Sequence, residues 1–236
     1  MAAIDAPVKS LLSVIVPALD AAAVLPATLA ALEEGRAGGL LGEVIVVDGG
    51  SKDGTAAWAE AAGAQLTRAP RGRGAQLAAG GVAARGDWLL FLHADTQLAP
   101  GWSRAAAAFI AEPQNQDRAA YMRFRLNDQS AAARRMEALV AWRCRTLALP
   151  YGDQGLLIAA PLYRAIGGFR ALPLMEDVDL VRRLGRERLV QLPTDAITSA
   201  ARYRREGYVS RPLRNLGCLT LYFLGLPPRF ILRLYG

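Results

Sequence analysis

Asp87-Trp88-Leu89-Leu90-Phe91-Leu92-His93-Ala94-Asp95 is the stretch on which the fold turns. Its apolar run, Trp88 to Leu92, stops abruptly at polar groups that do not belong in the same buried layer. Short apolar runs bounded in this way fit strands buried on both faces, as in parallel sheets. In open α/β sheets, ligands bind in the crevice beyond the carboxyl ends of the strands. A central strand ending there would deliver His93 and Asp95 to a site for a cation and the phosphates it carries. The competing reading is plain: a strand, a turn, and Asp95 capping the next helix.

Upstream, Leu11-Leu12-Ser13-Val14-Ile15-Val16-Pro17 reads as a buried strand that Pro17 stops, since proline cannot continue a ladder. Val24 to Glu34 has helical spacing, with Pro26 in the first turn and Gly35 and Gly38-Gly39 ending it. Val44 to Val47 is a second buried strand, closed by Asp48. Gly49 to Thr55 forms a turn into an Ala-rich helix that ends at Gly63, with Asp53 as its cap. Gln65-Leu66-Thr67 is a third strand, Arg68 to Gly74 a basic glycine-rich loop, and Ala75 to Ala84 a helix of small residues. This alternation of strand and helix implies an α/β fold with a mostly parallel sheet flanked by helices.

Beyond Pro100 the pattern changes topology and becomes more irregular. Helices are expected over Gly101 to Ala111, Gln129 to Leu147, Pro161 to Ile166 and Met175 to Leu184. Tyr121 to Leu126 sets Tyr, Arg, Arg against Met, Phe, Leu, as in a strand with one wet face, and Gly155 to Ala159 reads as another strand. From Gly207 an apolar helix, interrupted at Gly225 and Pro227-Pro228, ends the sequence.

With 53% hydrophobic and 21% charged residues the composition is that of a globular protein. Net charge is +7, and lysine occurs only at Lys9 and Lys52, so arginine carries the excess. Arginine could serve anionic ligands, or simply cover solvated faces. Cys144 and Cys218 follow no metal-ligand spacing and are too few for a disulfide framework, which fits a reduced, cytoplasmic protein. No basic segment followed by a long apolar one marks a signal peptide, and no run reaches the roughly 18 apolar residues of a membrane span.

Asp20 lies just past the first strand, Asp48 ends the second, and His93 and Asp95 follow the fourth. Parallel strands put these ends on one side of a sheet. Acids converging there beside a basic loop suit a nucleotide bound with a hard divalent cation, Mg²⁺ or Mn²⁺. Arg71 and Arg73 could grip phosphate oxygens or meet a base, with Gly72 and Gly74 letting the backbone approach closely.

Pro17…Asp20, the gap-free Val46-to-Thr55 segment with Asp48-Gly49-Gly50-Ser51-Lys52-Asp53-Gly54-Thr55, His93-Ala94-Asp95 and Glu176-Asp177 resemble the inverting GT-A glycosyltransferases of family 2. Tyr151-Gly152-Asp153-Gln154-Gly155 and the Arg71-to-Gln76 loop look like a small bacterial branch linked to arsenosugar synthesis. The resemblance implies a single GT-A domain over 1–236, with a nucleotide-sugar-binding half at 10–98, an acceptor and catalytic half at 99–200 and an amphipathic helical tail at 201–236. It implies a UDP- or GDP-sugar donor contacted by Asp20 and Asp48 at the base or ribose, with Pro17 and Gly50 in the same site. Asp95 corresponds to the metal-ligating last acid of an Asp-x-Asp motif, whose first acid is here His93. That histidine is either a site residue, bonding ribose or metal, or a buried strand-end residue. Asp177 matches the catalytic base, taking the acceptor's proton, with Glu176 orienting it or the acceptor. Otherwise Glu176, Asp177 and Asp179 are acids at a helix N-terminus. Asp153 and Arg202 are weaker candidates on the acceptor side, and Arg202-Tyr203-Arg204 is a loose basic-aromatic motif.

The tail mixes apolar residues with Arg211, Arg214, Arg229 and Arg233. It either lies on an anionic membrane, which a lipid-linked acceptor would fit, or packs on the domain. A nicotinamide oxidoreductase would need a glycine-rich turn after the first strand, where this sequence has Pro17-Ala18-Leu19-Asp20. A nucleotidylyltransferase would need a glycine-rich N-terminal activating loop. Nucleic-acid binding is disfavoured by dispersed arginines and the lack of an aromatic platform. A nucleotide-sugar binder without turnover remains the alternative.

Overall fold

The computed structural model describes residues 12–235; Leu11, the expected start of the first strand, lies outside them. The parallel half comprises β1 (Leu12–Ala18), β2 (Leu41–Asp48), β3 (Gln65–Arg68) and β4 (Trp88–Phe91). Between them run α1 (Leu25–Ala37), α2 (Thr55–Ala61) and α3 (Arg73–Ala83). Then follow β5 (Thr96–Leu98), α4 (Trp102–Ala111), β6 (Ala119–Leu126), α5 (Ala131–Leu147), β7 (Leu156–Ala159), α6 (Ala160–Ala165), α7 (Glu176–Leu184) and β8 (Leu189–Thr198). Three helices close the chain: α8 (Ala201–Glu206), α9 (Ser210–Phe223) and α10 (Pro228–Tyr235).

All eight strands share one sheet, in the order β3-β2-β1-β4-β7-β6-β8-β5. The first four pair in parallel, as their apolar runs predict. From β4 onward the sheet is mixed: β7 is antiparallel to both β4 and β6, β8 is parallel to β6, and β5 is antiparallel to β8. The α/β expectation holds, with parallel pairing confined to the first half and the β6–β8 pair.

Pro17 does not stop β1. It pairs with Val47, and the strand continues to Ala18. Ile15 gives its carbonyl to Leu92 and Ala18 to Gly49, so alternate residues of β1 face β4 and β2. Pro17 is on the β4-facing set, and pairing with β4 ends at Ile15. Its missing N–H therefore costs no ladder bond. Gly35 does not end α1 either; it is buried within the helix, and Gly38 follows the last turn. Tyr121 is buried, so the wet face of β6 is reduced to Arg123 and Arg125, which pair with Asp195 and Glu137.

The core lies against β1, β2 and β4, whose Val14, Ile15, Val46, Leu89 and Leu90 are wholly buried. Gln76 of α3 ties the carboxyl ends of β1 and β2 together, its side-chain amide donating to Ala18 O at 2.7 Å and Val47 O at 2.8 Å. The two free cysteines are both buried. Ile231, Cys218 and Leu219 of the tail pack with Val178 and Val181 of α7. The expected packing on the domain is thus present for one face of the tail.

A Cβ at Gly35 would lie 2.6 Å from Cζ2 of Trp102, a fully buried indole whose Nε1–H donates to Ala31 O at 3.0 Å. An exposed helical glycine gains about 1 kcal/mol on changing to alanine. Here overpacking outweighs that gain, and Gly35→Ala lowers unfolding stability in urea by about 1–3 kcal/mol. Trp102→Phe in the same chain restores part of the loss; a Gly35→Ala protein as stable as the parent would contradict the packing.

Candidate active site

β4 leaves the sheet at Phe91 and carries the chain through His93 and Ala94 to Asp95 at the carboxyl edge of β1 and β2. Because β2, β1 and β4 are adjacent and parallel, Asp48, Asp20 and Asp95 stand along one edge. Ser51 latches two of them. Its N–H and Oγ–H donate to Asp48 Oδ1 at 2.9 and 2.5 Å, and its Oγ accepts the Asp20 N–H at 2.9 Å. Asp20 Oδ1 accepts the Lys52 N–H at 2.8 Å. Asp48 is buried and Asp20 exposed. Asp53 serves the start of α2, its Oδ1 accepting the Thr55 N–H at 3.0 Å and its Oδ2 the Ala22 N–H.

Next along this edge opens a cleft with a volume of about 290 Å³. Arg73, His93, Asp95, Asp153, Glu176, Asp177 and Arg202 all border it, although they come from five separate parts of the chain. Pro17, Asp20, Asp48, Gly50 and Arg71 do not. Gly50 is exposed with open space around it, and Arg71 is exposed. Gly74 serves packing rather than ligand approach: a Cβ there would lie 2.5 Å from Arg170 O.

Arg73 Nε lies 3.4 Å from buried Glu176, and its Nη1 lies 3.5 Å from His93 Nε2. A guanidinium can only donate, so the ring nitrogen facing it is the unprotonated one. Burial, with the charges of Arg73 and Arg202, holds His93 well below its usual range. A Cβ at Gly152 would overlap Nε2, so this ring face is closed by backbone as well. The imidazole is a neutral group here, with Nε2 facing Arg73 and the Gly152 backbone.

Asp177 stands in the first turn of α7, placed by Met175, whose φ of 64° and ψ of 21° turn the chain sharply into the helix. Gly152 N–H donates to Asp177 Oδ2 at 3.0 Å and Val178 N–H to Oδ1 at 2.8 Å. Asp179 is instead structural, held by Arg170 and Arg183. Burial raises Glu176 to about 7; Arg73 opposes the rise and Asp177 adds to it. Burial also raises Asp153 to about 6, against Arg143 and with Asp177 and Asp95. Asp153 Oδ1 has no hydrogen-bond partner among the described residues.

Several neighbours escaped the sequence. Gln154 Oε1 accepts from Arg143 and from the Tyr151 N–H, while its Nε2 donates to Met122 O. Arg143 also lies 3.4 Å over the Tyr151 ring. The Tyr151–Gly155 turn is therefore anchored to α5 and β6. A cleft wall of Leu139 and Trp142 on α5 and Leu213 and Leu216 on α9 was equally unforeseen. The available signal was that α5 carries too many apolar positions for one buried stripe.

An acid whose folded pKa is raised is stabilising only below its unfolded value, and that stability is lost as pH rises through the folded value. For Glu176, facing Arg73 and Asp177, the window runs from 4.5 to about 7. Urea midpoints of the parent should fall relative to Glu176→Gln across this window, and the same holds for Asp153→Asn from 3.8 to about 6. Parallel pH profiles would show that neither carboxyl is held in its acid form.

The model of glycosyl transferase family 2 matches residues 13–159. No curated protein matches the chain. Among solved structures, glucosyl-3-phosphoglycerate synthase from Mycobacterium tuberculosis, in complex with Mn²⁺ and uridine-diphosphate-glucose, is 21% identical with a TM-score of 0.58. That likeness covers 80% of this chain and 70% of that one. S. aureus TarS 1-349, in complex with UDP, is 19% identical with a TM-score of 0.63, covering 80% of this chain and 61% of the other. These likenesses show a shared GT-A fold. The family match spans most of the chain, and the chain belongs to glycosyl transferase family 2: it is a glycosyltransferase.

Proposed function

We propose that this enzyme transfers a sugar from a nucleotide-diphosphate donor, linked to UDP or GDP, to an acceptor hydroxyl with inversion at the anomeric carbon. The observation that carries the reading is the shared cleft, bordered both by His93 and Asp95 after β4 and by Glu176 and Asp177 at the start of α7. Structures of similar fold in complex with UDP-glucose or UDP support the donor class. The residues of 10–98 hold the donor and those of 99–200 hold the acceptor, with 201–236 completing the acceptor side. The Tyr151–Gly155 and Arg71–Gln76 segments favour the small bacterial branch.

Asp20 and Asp48, already fixed by Ser51 and Lys52, offer their remaining lone pairs to the nucleoside, with Pro17 and Gly50 beside them. Arg73 meets the diphosphate, Arg71 reaches it from the preceding loop, and Arg202 stands with Asp153 on the acceptor side. Among the described residues no three His, Cys, Asp or Glu side chains form a metal cage. Of the carboxylates bordering the cleft, Asp95 fits Mg²⁺ or Mn²⁺, which are commonly held by one or two carboxylates together with substrate phosphates. Such a cation, held by Asp95, would offset the charge on the departing diphosphate.

Asp177 takes the proton of the attacking hydroxyl. Its two oxygens are pinned by the Gly152 and Val178 N–H groups, which orient the carboxylate and leave further lone pairs free. Glu176 positions α7 through Arg73. The cysteines remain thiols in a cytoplasm, and the tail can rest on the inner membrane face. No helix among the described residues is long and apolar enough to cross a membrane.

Asp177→Asn keeps UDP binding in calorimetry and lowers transfer by about 10²–10⁴-fold; normal turnover would remove Asp177 as base. Asp95→Ala abolishes the Mn²⁺ dependence of UDP binding, and unchanged titrations would reject it as the ligand. Flotation with anionic vesicles recovers the parent protein, while Arg229→Glu with Arg233→Glu stays in the dense fraction. Equal recovery of both would remove the tail from the membrane.

A further inference from the structure

We infer that the acceptor is an amphiphile, its hydroxyl-bearing head at Asp153 and Asn215 and its apolar chain between α5 and α9. The inference rests on the catalytic reading of Asp177 and names the class of molecule that Asp177 would activate. The cleft has two kinds of lining. Arg73, His93, Asp95 and Arg202 are charged or polar, whereas Leu139, Trp142 and Leu147 of α5 and Leu213 and Leu216 of α9 form an apolar wall. These five side chains are 47–62% exposed. Single exposed leucines on a surface need no explanation, but an apolar patch gathered on one concave wall marks a binding site. The cleft is close to the size of small-ligand pockets.

Two of the residues that line the cleft bring buried acceptor atoms, Asp153 Oδ1 and Asn215 Oδ1, neither with a hydrogen-bond partner among the described residues. Both residues border the cleft. Buried acceptors in native proteins are almost always satisfied. A ligand head carrying two or more hydroxyl or amino donors would satisfy both and bring one hydroxyl toward Asp177. A purely polar acceptor would leave the leucine wall wet, and a purely apolar one would leave Asp153 and Asn215 unpaired. Only a molecule with both parts matches both kinds of lining.

The test titrates the full-length protein, with UDP and Mn²⁺ present, with 1-O-alkyl glycerols of two to ten carbons below their micellar concentrations. Affinity should tighten roughly two- to fourfold per added methylene. Capping both glycerol hydroxyls as methyl ethers should weaken binding by about tenfold or more. Leu213→Asp and Leu216→Asp, each checked for an unchanged thermal transition, should flatten the chain-length series. A parent protein that binds UDP but gives a flat series would overturn the amphiphile alone; failure to bind UDP as well would overturn the catalytic reading with it. A two-chain mass in light scattering that Leu213→Asp halves would assign the wall to a second copy and likewise overturn the proposal.

Discussion

Arg73, in the first turn of α3, faces Glu176 of α7 on one side and His93 at the end of β4 on the other. Its guanidinium thus spans two elements some eighty residues apart in the chain. Glu176 is buried, and an unpaired buried carboxylate is held largely in its acid form. The arginine opposes that effect while fixing where α7 begins relative to β4. Asp177 follows Glu176 directly, and Asp95 follows His93 by two residues. The separation of the proposed base from the proposed metal ligand is therefore tied to one side chain, the same one proposed to meet the diphosphate.

The proposed donor edge and the proposed acceptor side are built differently. Along the edge, the Ser51 and Gln76 side chains and the Lys52 N–H satisfy Asp20, Asp48 and the carbonyls of Ala18 and Val47 with bonds of 2.5–2.9 Å. On the acceptor side the Tyr151–Gly155 turn hangs on Gln154, and the wall is made of leucines that make no directional bond.

The sequence was most legible where strands are buried on both faces. Val14-Ile15-Val16, Val44–Val47 and Trp88–Leu92 are continuous apolar runs because both faces are covered, and they turned out adjacent and parallel. β8 escaped because Leu189–Thr198 contains Pro193, Gln191 and Asp195, and several of its positions are only half buried. β5 is three residues long, too short to carry a period. At the site, the acids at strand ends were readable, since topology alone sets their common edge. Asn215 and Leu216 were not, because nothing local in α9 tells that the helix folds back over the cleft. Gly74 misled, its glycine being needed by the Arg170 backbone and not by a ligand.

Met175 holds left-handed backbone geometry without being a glycine, a conformation that costs of order 1 kcal/mol. Its side chain is nonetheless buried among the residues that seat the tail. Glycine would relax the dihedral but empty that niche and loosen the hinge into α7. Burial of the side chain thus outweighs the cost of the dihedral, and Met175→Gly would exchange local strain for a cavity beneath the tail.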